Sequence, residues 1–200
     1  TGSAYSDTFS FSNPQDGASY VVNGNGGSNT IDLSGYASNA VTFGDGTMTI
    51  DMGSSQSFTV QYADVGSIAF SDVTATVLNS DLTQAGFSGT GLWIDGDEVF
   101  RVDVNGSGSL DISYDLDSDT LSVTGSNSVD ATSSLTITDL SGTDLRVDQI
   151  TIDDDFGDLT TNTGVGTISL LGAGSDLNGT FTIGGDLGSI AVHDLVGTLN

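Results

Sequence analysis

The sequence predicts an all-β protein, with a β-solenoid (a β-roll or a parallel β-helix) in its C-terminal part and a β-roll or β-sandwich-like N-terminal part. Three observations predict it. Helix formers are nearly absent, with no Lys, two Arg and a single Glu in 200 residues. Apolar residues alternate in short runs and do not recur at every third and fourth position. A short phrase headed by glycine returns along the chain, which is the mark of a repeat architecture.

Along the chain, Val41–Phe43, Thr47–Ile50, Ser57–Val60, Val99–Val104, Leu121–Val123 and Leu135–Ile137 each place apolar side chains on one face of a strand. Turns are expected between them at Gly44-Asp45-Gly46, Asp95-Gly96-Asp97 and Asn105-Gly106-Ser107-Gly108. One helical turn is expected over Asp81–Ala85, with Asp81 as its N-cap and Gly86 as its stop. This divides the chain into an N-terminal β module over 1–80 and a β-rich repeat module over 81–200.

The repeat reads glycine, Ser or Thr, apolar, any residue, apolar. It occurs from Gly46, Gly66, Gly108, Gly166, Gly179 and Gly188, with an incomplete copy from Gly197. The last three copies start nine residues apart, and Asp176-Leu-Asn-Gly-Thr180 returns as Asp194-Leu-Val-Gly-Thr198 after 18 residues. A β-solenoid requires this, since each short strand stacks on its equivalent one winding away and buries alternate residues in a shared core. Eighteen residues per winding suit a narrow two-sided roll. The alternative is a sandwich whose hairpins use Gly-Thr turns. Because the copy at Gly197 stops partway, a longer parent chain is expected.

Charge limits the function classes. The formal net charge is −25, from 27 acidic residues of which 26 are Asp, so nucleic acid, anionic lipid and polyanionic substrates are excluded as partners while cations are attracted. Hydrophobic residues at 36%, together with 28 Gly, supply enough apolar material for a core. Without Cys there is neither disulfide nor thiolate chemistry. No apolar run reaches the ~18 residues of a membrane span, so direct membrane insertion is not expected.

The segment Tyr20-Val-Val-Asn-Gly-Asn-Gly-Gly-Ser-Asn-Thr-Ile-Asp-Leu-Ser-Gly-Tyr36, with Val41–Asp51 and Phe58–Tyr62, resembles the calcium β-roll segments of bacterial RTX proteins. In that family, calcium lies between successive turns, held by an Asp carboxylate and glycine carbonyls. In the correspondence Gly24 and Gly27 are kept, Asn25 stands for the second glycine, Asn29 stands for the Asp and Ile31 is the apolar position. The resemblance implies Ca2+ at Asn29. The tail Ile183-Gly-Gly-Asp-Leu-Gly-Ser-Ile190 is similar to the repeats of bacterial surface β-helix proteins of the S-layer or adhesin type. Both resemblances imply a secreted, extracellular or cell-surface bacterial protein.

Three acidic clusters are further metal candidates. Asp115, Asp117 and Asp119 alternate, so on a strand they would share a face with carboxylates about 7 Å apart, a spacing that Ca2+ can bridge. Asp153, Asp154, Asp155 and Asp158 lie in a turn before Leu159, and Asp95 and Asp97 stand beside Glu98. The plainer reading is that Asp serves as a solubilising turn residue.

Catalysis has little material. His193 is the only imidazole and is expected at a solvent-facing strand position; Arg101 and Arg146 are expected to pair with neighbouring Asp, and Trp93 to pack in the core or a turn. The function expected is therefore that of a non-enzymatic structural protein, an S-layer, filament or adhesin-stalk subunit. It would assemble with copies of itself, or stack on adjacent modules of a longer chain, with Ca2+ neutralising its acidic surface. Two alternatives stay open: a carbohydrate- or surface-binding module of a large adhesin, and a glycan-active β-helix enzyme.

Overall fold

The computed structural model describes residues 1–96, 98–127, 129–142, 145–170 and 176–200. These form an all-β protein with one 3-10 turn at Ser38–Ala40 among the described residues. In chain order the strands are β1 (Thr8–Ser10), β2 (Ser19–Asn23), β3 (Thr30–Leu33), β4 (Val41–Gly44), β5 (Thr47–Gly53), β6 (Gln56–Ala63), β7 (Ser67–Phe70) and β8 (Thr74–Val77). There follow β9 (Leu82–Phe87), β10 (Gly89–Asp95), β11 (Glu98–Asn105), β12 (Ser109–Asp115), β13 (Thr120–Asn127), β14 (Ser134–Asp139) and β15 (Arg146–Ile152). The last are β16 (Asp158–Thr161), β17 (Val165–Leu170), β18 (Asp176–Leu177), β19 (Thr180–Ile183), β20 (Leu187–Ala191), β21 (Asp194–Leu195) and β22 (Thr198–Leu199).

The chain divides into two compact units, the first made of Thr1–Asn79 with Gly91–Val99 and the second of Ser80–Thr90 with Phe100–Asn200. In the first unit, β1, β3 and β7 run parallel; β8 is antiparallel to β7 and parallel to β10. A second sheet has the order β2-β6-β5-β4. Strict alternation buries Ile31, Leu33, Met48, Ile50, Phe58, Val60 and Ile68 in one cluster. The Phe58 ring lies 5.7 Å from Phe11, 5.8 Å from Tyr20 and 5.7 Å from Tyr36. Burying each such side chain contributes about 1.5–3 kcal/mol relative to leaving it in water.

The second unit begins with antiparallel pairs and continues with parallel ones. Strand β12 pairs antiparallel with β9 and β13, whereas β13, β15, β17 and β20 follow one another in parallel. In the other sheet β11 is antiparallel to β14, and β14, β16, β19 and β22 follow in parallel; β18 pairs with β21. The register stacks like on like. Ile112, Val123, Ile150, Ile168 and Ile190 form one column across a sheet, and Val104, Leu135, Leu159, Phe181 and Leu199 form another. Thr161, 2% exposed, is held by its hydroxyl accepting the Thr163 N–H and donating to the Thr163 carbonyl.

The glycine-headed phrase falls at the start of a strand, or one residue into it, at each complete copy, yet only its later copies stack on one another: the one from Gly166 under that from Gly188, and the one from Gly179 under that from Gly197. The reason for glycine here is close approach. A Cβ on Gly179 would stand 2.6 Å from the Gly157 carbonyl, and one on Gly197 would collide with the Gly179 carbonyl.

Residues 81–85 depart from expectation. They belong to strand β9, not to a helical turn, because Leu82 lies opposite Tyr114 and Phe87 opposite Leu110, where Phe87 is buried. A single turn does not offset the cost of helix nucleation, whereas the edge of a formed sheet does. Asp81, expected as an N-cap, instead accepts the N–H of Leu116 at 3.1 Å.

Candidate functional site

The site candidates rest on 26 Asp carboxylates, so the first question is what those carboxylates touch. Many accept backbone N–H groups from distant segments. Asp16 accepts from Ser57 at 3.0 Å, Asp72 from Ser38 at 2.8 Å, Asp111 from Gly86 at 2.7 Å, Asp155 from Asp176 at 3.0 Å and Asp158 from Thr180 at 2.7 Å. Each satisfies a main-chain donor that no ladder partner reaches, with a charge-assisted bond. Others close local turns, as Asp139 does with the N–H groups of Ser141 and Gly142.

The expected cluster at 115–119 is reorganised by this use. Asp115 ends β12, Thr120 opens β13, and the residues between form a tight hairpin turn, so the three Asp do not alternate along one strand face. Asp115 accepts both the N–H and the hydroxyl of Ser118 at 2.9 Å. Asp119, at φ +51, accepts the Tyr114 hydroxyl at 3.1 Å. The second cluster does lie in a bend before Leu159, but its carboxylates turn to separate donors: Asp154 to the Asp155 N–H, and Asp155 and Asp158 to neighbouring strands. Asp153 donates its N–H to the Gly125 carbonyl. In the third cluster Asp95 closes β10 and Glu98 opens β11, where Glu98 is 4% exposed; Asp97 lies outside the described residues.

Asn29 is fully buried and its amide is used as a brace. Its Oδ1 accepts the Asp7 N–H at 3.0 Å, and its Nδ2 donates to the Gly26 carbonyl at 2.7 Å and the Asp64 carbonyl at 2.9 Å. The amide thereby ties the segments at Asp7, Gly26 and Asp64 together. Among the described residues, no three acidic or His side chains converge as a metal-binding group.

Asp32, Asp130 and Tyr62 titrate away from their ordinary values. Hydrogen bonds from the Ser34 hydroxyl and N–H, then from Ser10, lower Asp32; those from the Thr132 hydroxyl and N–H lower Asp130. Tyr62 is pushed up to about 12 by burial, and then by the charge of Asp45; its buried hydroxyl has no hydrogen-bond partner among the described residues.

Arg101 pairs with Asp103 at 2.9 Å. His193 lies in a bend after β20, not on the strand, with Nδ1 3.4 Å from Asp176 Oδ1. Trp93 is 4% exposed, its indole lying where a Cβ on Gly91 would fall, so it presents no open ring face to a sugar. The carboxylate braces of Asp16, Asp72 and Asp111 went unnoticed in the sequence, since no local motif marks an acceptor whose donor lies 25 to 41 residues away. No helix of the described residues is long and apolar enough to cross a membrane. No protein-family model matches the chain, and no curated protein or solved structure matches it either.

Proposed function

We propose that the chain is a structural module, a β-solenoid of a secreted bacterial surface protein, whose windings continue by association with copies of itself or with adjacent modules. The observation that carries this reading is the run of in-register parallel strands. Thr180 pairs with Thr198 and Ile168 with Ile190, and the outermost strands of that run, β20 and β22, have an unpaired side within their sheets. Unpaired strand edges invite strand addition. Val196 and Leu199, 67% and 40% exposed, supply apolar surface beside them.

A charge of −25 opposes such association, and Ca2+ lowers the repulsion as a counter-ion spread over surface carboxylates. Light scattering and electron microscopy of the chain in millimolar calcium, and then after chelation, test this. Association promoted by calcium and reversed by the chelator is the expected result. A monomer unchanged by both treatments overturns the reading.

A further inference from the structure

Strands β15, β17 and β20 lie side by side, with Val147 opposite Val165 and Val165 opposite Leu187. One residue earlier on each, the same register sets Arg146, Gly164 and Asp186 in a row across the strands' N-terminal ends. With neighbouring strands about 4.8 Å apart, the backbones at Arg146 and Asp186 stand roughly 9.5 Å from each other, with only a glycine between them. An open groove of about 680 Å³ lies here, lined by Arg146, Thr163, Gly164, Gly166, Asp186 and Gly188 among others.

The floor is bare because neighbouring backbone leaves no room for a side chain: a Cβ on Gly164 would stand 2.9 Å from the Asp186 carbonyl, and one on Gly166 2.5 Å from the Asp148 carbonyl. Among the described residues, the Arg146 guanidinium makes no hydrogen bond or ion pair, and neither does the Asp186 carboxylate. In a chain with 27 acidic side chains and two arginines, Arg146 offers this groove a cation, whereas Arg101 is held by Asp103.

We propose that this groove binds a single carboxylated sugar, a uronic acid unit. Its carboxylate is held bidentately by Arg146, and its vicinal hydroxyls donate to Asp186 across the glycine floor. The guanidinium fork fits a planar carboxylate. One arginine is too little for a doubly charged phosphate, and the net charge turns away long polyanions. The proposal is independent of self-association, since the groove lies across strands within one chain.

Amide-resolved NMR titration of the chain with methyl glucuronide, its uncharged methyl ester, methyl glucoside and glycine tests it. The glucuronide is expected to shift the amides of Gly164, Gly166 and Gly188 saturably, with the ester and the glucoside at least about tenfold weaker, a loss equivalent to ~1.4 kcal/mol. Arg146→Gln should abolish the preference for glucuronide over ester, and Asp186→Asn should weaken both sugars without changing that preference. Melting temperature reports the fold of each variant. No saturable shift at those glycines, equal binding of ester and glucuronide, glycine binding as well as the glucuronide, or an unchanged preference in Arg146→Gln would each overturn the proposal.

Discussion

The Asp158 carboxylate accepts the backbone N–H of Thr180 at 2.7 Å, joining the first residue of β16 to the first residue of its parallel neighbour β19. The bond starts the pairing that then continues through Leu159 opposite Phe181 and Thr160 opposite Thr182. Asp158→Ala should therefore destabilise the protein by about 1–2 kcal/mol, while Asp158→Asn, which keeps an acceptor oxygen, should lose less. Chemical denaturation measures both. Hydrogen exchange at the Thr180 amide should accelerate in the Ala variant; unchanged exchange would show that the carboxylate does not set the pairing.

Asn29 offers a direct choice between a brace and an ion site. Asn29→Asp removes both donor bonds and sets a carboxylate against the carbonyls of Gly26 and Asp64, so a loss of about 3 kcal/mol or more is expected. Melting the variant with and without calcium decides the matter. The brace predicts the same loss in both, whereas full recovery with calcium would show that the residue occupies an ion-binding position.

Among the described residues, Tyr62 buries a hydroxyl without a partner. Tyr62→Phe is therefore expected to be neutral or to stabilise by up to ~1 kcal/mol, the reverse of the usual result at a half-buried tyrosine. The wild-type phenol has a folded-state pKa raised to about 12, so its neutral form contributes stability below the ordinary phenol range, and this is lost as pH rises toward that value. The Phe variant should show the weaker alkaline destabilisation in pH-dependent melting.

Asp32 and Asp130 behave in the opposite sense. Their folded-state pKa values are lowered by hydrogen bonds, so their contribution is present above the ordinary carboxylate range and is lost as pH falls through the lowered values. Carboxyl-detected NMR titration should find both ionised at pH values where an ordinary aspartate is already protonated. Titration at or above the ordinary value would contradict the hydrogen bonds from Ser34 and Thr132.

Strand content and alternation were legible from sequence because burial of every second side chain leaves a period of two, as in Leu135-Thr-Ile137 and Leu121-Ser-Val123. Parallel stacking was legible where the phrase repeats, from Gly166 onward, but the rule that demanded Ser or Thr after the glycine overlooked Gly157-Asp-Leu-Thr160, whose Asp replaces the hydroxyl and supplies the brace to Thr180. Residues 81–85 misled because a capping Asp and a stopping Gly are local signals, while the strand they form is imposed by β12, some 25 to 35 residues away. The arrangement of the acidic clusters was hidden for a related reason. Proximity in sequence says nothing about where carboxylates point, and adjacent Asp residues such as Asp154 and Asp155 turn to different donors. The row of Arg146, Gly164 and Asp186 left no trace in the sequence, since its members meet only through the register of three strands.

Partner residues in the parallel ladders are separated by unequal lengths of chain: 18 from Thr180 to Thr198, 22 from Leu159 to Phe181 and 24 from Leu135 to Leu159, all in the same alignment. Such differences cost little, since closing a longer connection between strands costs only logarithmically more entropy. Peptides grafted into those connections should thus leave the stacked columns undisturbed, which makes this chain a ready scaffold for displaying foreign sequences at fixed intervals.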